Sequence, residues 1–454
     1  MNISETVISQ RKYFESGKTR SLSFRKEALK SLKRAIKANE ELICEALLSD
    51  LNKPKSETYM CEVGLVYEEI SYQIKHLPKW IKNKRAHTPL PQFKSKSFTS
   101  PEPYGVTLIM SPWNYPVQLS LSPLVGAIAA GNCVIVKPSA YAPKSSEVVA
   151  KIISEAFSAE HVTTVLGGRE ENTALLAQKF DYIFFTGSVS VGKLVMEAAA
   201  KNLTPISLEL GGKSPVILEK SADIEIAARR IAFGKALNAG QTCVAPDYLL
   251  IEKGLKEEFV GYYKKALREF FRGGDMSDFP HIVNEKHFDR LLSLMEGEKI
   301  VLGGKYNREE RFIEPTLLDN VTYSSKAMSE EIFGPILPII EYENLADAIE
   351  YIRKNPKPLA LYLFTKNKSV EKEVLDCCSF GGGCINDTII HLATSEMGFG
   401  GVGESGMGAY HGKKSFDTFT HYRSIVKKSY FPDLKMRYRP YSDKKDKTIR
   451  KFLK

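Results

Sequence analysis

The stretch from Gly105 to Lys137, GVTLIMSPWNYPVQLSLSPLVGAIAAGNCVIVK, decides the fold. GVTLIM (105–110) is a short apolar run of the kind that forms a buried strand. LSLSPLVGAIAAG (119–131) reads as a packed helix and CVIVK (133–137) as a second strand. A strand, a helix and a strand in so little chain predict a parallel pair with the helix laid across it. The alternation continues through SSEVVAKIISEAF (145–157), VTTVL (162–166) and DYIFF (181–185). A second series begins near Pro205 with PISLEL and SPVIL, and runs on through DYLLI, LPIIEY, LALYLF and GGCIN. Helical stretches lie between, at 224–237, 256–271 and 345–353. The fold class is therefore α/β, with two doubly wound domains that part near Glu209.

Working outward, the first eighty residues read as helices. From Lys26 to Ser49, Leu29, Leu32, Ile36, Leu42, Ile43 and Leu47 recur near helical spacing. After His87, TPLPQFKSKSFTSPEPYG holds four prolines, so it is a linker or an extended arm confined to an edge position. No internal repeat is apparent.

The chain has 454 residues, 43% hydrophobic and 26% charged. At roughly 150 residues per domain that is two or three units. Such a chain buries a large core, which excludes disorder, collagen-like repeats and a disulfide miniprotein. The least polar stretch, Leu119 to Val136, contains Pro123 and Asn132 and suits a packed helix better than a membrane span. The start, MNISETVISQRKYFESGK, has no apolar signal core, so a cytoplasmic location is expected. Seven cysteines at scattered spacings argue against a disulfide framework. No His or Cys cluster has zinc-ligand spacing, so no metal site is expected.

The net charge is +10, and from Ile425 to Lys454 eleven Lys or Arg stand against three Asp. A nucleic-acid reader would carry its basic surface on a folded face, so no nucleic-acid partner is expected. The plain reading of the tail is a solvated extension. The sharper one is weak attraction to an anionic membrane surface.

Four short segments carry chemistry. In DYIFFTGSVSVGK (181–193) an apolar run ends at Thr186-Gly187-Ser188 and reaches Gly192 before a helix. Such a turn presents free N–H groups to a phosphate, or it is merely a tight strand-to-helix turn. In LELGGK (208–213) a carboxylate, Glu209, closes an apolar run, where ligands of doubly wound sheets bind. It is either a general base with a raised pKa or a surface Glu. Cys243, in NAGQTC (238–243), is a candidate nucleophile, although most free cysteines are buried and inert. Asn114, in SPWNYP (111–116), offers an amide to a developing oxyanion or only makes a structural turn. Together they suit acyl-transfer chemistry on a carbonyl carbon beside a nucleotide cofactor.

These strings, with GNCVIVKPS (131–139), GQTCVAPDY (240–248), EEIFGPILP (330–338) and GFGGVGESGMGAYHGKKSFDTFTH (398–421), are similar to those of the aldehyde dehydrogenase superfamily. The class 3 branch, which oxidises fatty and aromatic aldehydes, is the one most closely resembled, over nearly the whole chain. The resemblance implies an atypical Rossmann nucleotide-binding domain (1–80 and 101–208) and a catalytic domain (209–395). It also implies oligomerisation strands (81–100 and 415–430) and a basic tail (431–454). Cys243 would be the thiolate that attacks the aldehyde, Asn114 the oxyanion donor, and Glu209 the base that activates water for thioester hydrolysis. Lys137 would lie at the adenosine ribose and Gly187, Ser188 and Gly192 at the pyrophosphate. Glu331 and Phe333 would meet the nicotinamide ribose and ring, with Trp113 and Leu210 also beside the cofactor. Tyr115 and His411 are the candidates for the aldehyde side. A homodimer is implied.

One departure bears on the cofactor. After Lys137-Pro138-Ser139 many relatives place a Glu that accepts from the ribose 2′-hydroxyl; here the residue is Ala140. That predicts use of NADP as well as NAD. Met397-Gly398-Phe399 also replaces the usual Leu-Pro-Phe. An acyl-CoA or acyl-phosphate reductase would generally lack the Glu of LELGG, and a non-catalytic binding protein would lose Cys243, Asn114 or Glu209. All three residues are present.

Overall fold

The strand Val106–Met110 lies inside a six-stranded sheet of the computed structural model, which describes residues 2–453. The order across it is Gly406–Met407, Ile206–Glu209, Tyr182–Thr186, Val106–Met110, Cys133–Lys137 and Val162–Thr164. The last five run parallel, and Gly406–Met407 closes one edge antiparallel. Helices cover both faces, so the inner strands are buried at every residue and read as unbroken apolar runs. Helix Gln118–Ala130 is likewise buried all round, with Pro123 inside it.

The chain leaves this sheet at Glu209 and enters a second at Pro215. Seven strands form it, ordered Lys299–Leu302, Thr316–Asp319, Ile336–Tyr342, Tyr248–Glu252, Pro215–Leu218, Ala360–Phe364 and Gly382–Ile385. All pairings are parallel except that of Lys299–Leu302. The carboxyl ends of the first sheet's strands, and the loops that enter the second sheet's strands at their amino ends, carry the residues discussed below.

A third sheet joins Lys84–Ala86, Ser95–Pro103 and Thr420–Lys428 antiparallel. Lys84–Ala86 covers only Ser97 to Thr99. Pro101 and Pro103 lie beyond it, on an open edge where the missing N–H breaks no ladder.

The structure corrects several expectations. The helical stretch Lys26–Ser49 is two helices, Leu22–Ala38 and Glu40–Leu51. Asn39 leaves the helical region between them, and its amide donates to the Ala35 carbonyl at 2.8 Å. The 415–430 segment is not all strand: Lys413–Thr418 is helical and the strand starts at Thr420. The 81–100 arm is strand only in parts and extends to Pro103. The 431–454 tail is not merely a solvated extension. It holds the helix Asp443–Phe452, whose Ile449 and Phe452 line a groove with Leu90, Phe93 and Val426. The first sheet also draws Gly406–Met407 from far beyond residue 208.

Candidate active site

Helix Ile224–Ala236 ends in three successive residues with positive φ, Asn238 (51°), Ala239 (51°) and Gly240 (69°). Two of them are not glycine, so the turn is held against a local preference for the right-handed region. At the third, a Cβ would stand 2.2 Å from the Gly334 carbonyl oxygen, so only glycine allows the approach. This turn delivers Cys243 to a cavity of about 170 Å³ lined by Tyr115, Thr242, Phe399, Tyr410 and His411 among others. Cys243 is partly exposed, not sealed in hydrocarbon. The protein still crowds it closely. Burial foremost, then the carboxyls of Glu331 and Glu209, push the thiol well above its usual range, against backbone N–H groups of Cys243 and Val244. The surroundings thus favour the neutral thiol over the thiolate.

Asn114 enters from the mouth of the other sheet and is 3% exposed. Its Nδ2 donates to the Gln241 carbonyl at 3.0 Å, which spends one of the two amide hydrogens. Its own carbonyl accepts from Asn238 Nδ2 at 2.9 Å. Tyr115 joins its hydroxyl to that of Thr242. Asn114 and the turn that carries Cys243 are thus held by one set of hydrogen bonds.

Glu209 ends the strand Ile206–Glu209 and is 2% exposed. Neither carboxyl oxygen has a hydrogen-bond partner among the described residues. Burial holds its pKa well above the ordinary carboxylate range. An unpaired carboxyl so deep is costly, and such groups cluster at functional sites. It approaches Gly400, where a Cβ would come within 3.1 Å of Oε1, next to Phe399, which lines the cavity.

On the other side of Cys243, Glu331 is raised to about 8, first by burial and then by Asp247. Its carboxyl lies against Gly211, where a Cβ would come within 2.1 Å of Oε2. Asp247 fixes this loop by accepting from the Ile332 N–H at 2.8 Å and from Lys213. Phe333, also at positive φ (51°), meets Trp113 edge-on with centroids 5.4 Å apart. Trp113, Glu331 and Phe333 therefore form one wall.

The turn Thr186–Gly192 opens helix Val189–Ala200, capped by Ser188, whose hydroxyl accepts from the Val191 N–H. Gly192 lets that helix approach Leu210, where a Cβ would meet the side chain at 2.8 Å. The first free N–H groups of this helix suit a pyrophosphate. Lys137, at the end of its strand, donates to the carbonyls of Pro138 and Gly167 at 2.8 and 2.7 Å. It is not among the residues that line the cavity. His411 does line the cavity, at positive φ (77°). Burial lowers its ring to about 4, so it is neutral, packed against Tyr410 at 4.3 Å.

The model of the aldehyde dehydrogenase family matches residues 1–425. The chain belongs to that family. It is 49% identical to 4,4′-diaponeurosporen-aldehyde dehydrogenase of Staphylococcus aureus, over all of both chains. It is 45% identical to a dimeric NADP-preferring aldehyde dehydrogenase of Canis lupus familiaris, over 96% of this chain and 98% of that one. A solved structure described as the substrate-bound state of Staphylococcus aureus AldH superposes with a TM-score of 0.98 at 48% identity, over 100% of each chain. This aldehyde dehydrogenase stands on the class 3 branch and oxidises aldehydes with NAD(P).

Other groups around the site of this aldehyde dehydrogenase escaped the reading of its sequence. Lys235 is 1% exposed, has no partner for Nζ among the described residues, and is lowered to about 8 by burial. It continues the apolar face of Ala228, Ile231 and Ala232, and a lysine on such a face is a readable signal. Glu57 accepts from the Asn238 N–H at 2.7 Å and is raised to about 7 by burial. Nothing in its local sequence marks it.

Proposed function

We propose that Cys243, Asn114 and Glu209 carry the oxidation. The Cys243 thiol gives its proton up to solvent, and the sulfur adds to the aldehyde carbon to give a thiohemiacetal oxyanion. The second N–H of the Asn114 amide and the backbone N–H of Cys243 receive that charge, each worth about 3 kcal/mol. Bound NAD(P) supplies the hydride acceptor. The resulting thioester is cleaved by water, which gives one proton to the Glu209 carboxylate and its hydroxyl to the acyl carbon, freeing the carboxylic acid and the Cys243 thiolate. The observation that carries this reading is the unpaired, buried carboxyl of Glu209 beside Gly400, the neighbour of Phe399 in the cavity that holds Cys243. Replacing Cys243 by Ala and following NAD(P)H absorbance tests it. Undiminished oxidation by that variant removes Cys243 from the mechanism.

We infer a medium- or long-chain aliphatic or aromatic aldehyde as substrate. Apolar and aromatic side chains dominate the lining, and Met60 and Ile390, at its outer reach, are half-exposed. An apolar rim suits a chain that extends beyond the cavity. The staphylococcal relative is named for 4,4′-diaponeurosporen-aldehyde. A panel of aldehydes of increasing chain length checks it, and a preference for charged or two-carbon aldehydes counts against it.

For the cofactor, we propose that Trp113, Lys137, Gly187, Ser188, Gly192, Leu210, Glu331 and Phe333 hold NAD or NADP. The exposed Ala140 leaves room and no repulsion for a 2′-phosphate. We also propose a homodimer built through the three-stranded arm, in line with the dimeric canine relative, with scattering mass as the check. No helix among the described residues is long and apolar enough to cross a membrane. A cytoplasmic location with weak attachment of the basic tail to anionic bilayers completes the proposal. Salt-sensitive co-sedimentation with anionic vesicles tests that attachment.

A further inference from the structure

Lys53 and Glu62 form an ion pair at 2.6 Å in which neither side chain is exposed at all. Taking both charges out of water is expensive, and an apolar pair of similar volume would fill the space without that cost. What an apolar pair could not do is bond to the oxyanion loop. Lys53 Nζ also donates to the Asn114 carbonyl at 3.0 Å and lies 4.2 Å from the centre of the Tyr115 ring. The second oxygen of Glu62 accepts from the backbone N–H groups of Val117 and Gln118, at 2.9 and 3.1 Å. One buried pair therefore grips the segment from Asn114 to Gln118 at both ends.

The same carbonyl of Asn114 accepts from Asn238, whose side chain also donates to the Gln241 carbonyl at 3.1 Å. That carbonyl is the one the Asn114 amide uses. With one amide hydrogen spent on Gln241, the direction of the other depends on two things. These are the backbone of Asn114, held by Lys53, and the turn at Asn238, held by Glu57.

We propose that Lys53, with Glu62 as its counter-ion, is a positioning residue for the reaction. It fixes the backbone of Asn114 so that the free amide N–H meets the oxyanion as it forms. This rests on the role given to Asn114 above. The pair makes no contact with the aldehyde and acts only through that amide.

A double-mutant cycle on the full-length enzyme tests it, with Lys53→Met, Asn114→Ala and their combination, and kcat read with a medium-chain aldehyde at saturating cofactor. Lys53→Met lowers kcat by about 10²-fold in the wild-type background, the size of loss a small misplacement brings. With Asn114 already replaced, the same change alters kcat by no more than about twofold, because the group it acts through is gone. The dissociation constant for the cofactor stays unchanged in both. Equal losses in the two backgrounds, or no loss in the first, overturn the proposal. Asn114→Ala that turns over like wild type overturns the role of Asn114 itself, which is a distinguishable result. Glu62→Gln, which keeps an acceptor for Val117 and Gln118 but drops the counter-charge, is run through the same cycle and decides the matter if Lys53→Met does not fold.

Discussion

The hydroxyls of Tyr115 and Thr242 share a 2.6 Å hydrogen bond, which couples the residue after Asn114 to the residue before Cys243. Both side chains are buried; Tyr115 follows strand Val106–Met110 of the first sheet and Thr242 precedes strand Tyr248–Glu252 of the second. The bond thus spans the seam between Asn114 and Cys243. Tyr115→Phe leaves the Thr242 oxygen without its partner. Stability should fall by about 1 kcal/mol in urea titration, and kcat/KM by about fivefold if the strain is felt at the transition state. Unchanged kcat/KM would show that the seam holds without it.

Because burial and two carboxyls raise the thiol of Cys243, its reaction with iodoacetamide should be slow near neutrality in the absence of cofactor. The alkylation rate should keep climbing with pH past about 8.5, the range of an ordinary thiol. A plateau below that pH would mean the sulfur rests as a thiolate.

Glu209 should act late. In Glu209→Gln the first turnover persists as a burst of NAD(P)H, while steady turnover drops by about 10²- to 10⁴-fold. The wild-type steady rate should rise with pH, since only the ionised carboxyl takes a proton. Stability runs the other way. The folded-state pKa exceeds the unfolded one, so this group's contribution is fully present below about pH 4.3 and is lost as pH rises through the folded value. The melting temperature of Glu209→Gln relative to wild type should therefore increase with pH. A constant difference contradicts the raised pKa.

Ala140→Glu should leave kcat/KM for NAD near the wild-type value and lower that for NADP by about tenfold or more, a like-charge effect. Parallel changes with both cofactors would place the 2′-position elsewhere.

Much of the fold was legible in the sequence because burial on both faces writes strands as unbroken apolar runs. GVTLIM, CVIVK and LALYLF are strands buried at every residue in the structure. Helix Glu285–Met295 and the strands from Lys299 to Asp319 went unread, being short, partly exposed or antiparallel at an edge. The break at Asn39 was hidden because apolar spacing carries on across it, while its cap comes from hydrogen bonds to Ala35 and Glu155.

By itself, the sequence determined the α/β class and the family, and it singled out Cys243, Asn114 and Glu209 as candidates. Those properties live in local composition and in short strings whose order along the chain carries information. Only the tertiary structure decided that Glu209 lies buried and unpaired, and that Lys53, Glu57 and Glu62 grip the loops that carry Asn114 and Asn238. Hydration and hydrogen bonding depend on what surrounds a side chain in space, and these partners are supplied by segments far apart along the chain.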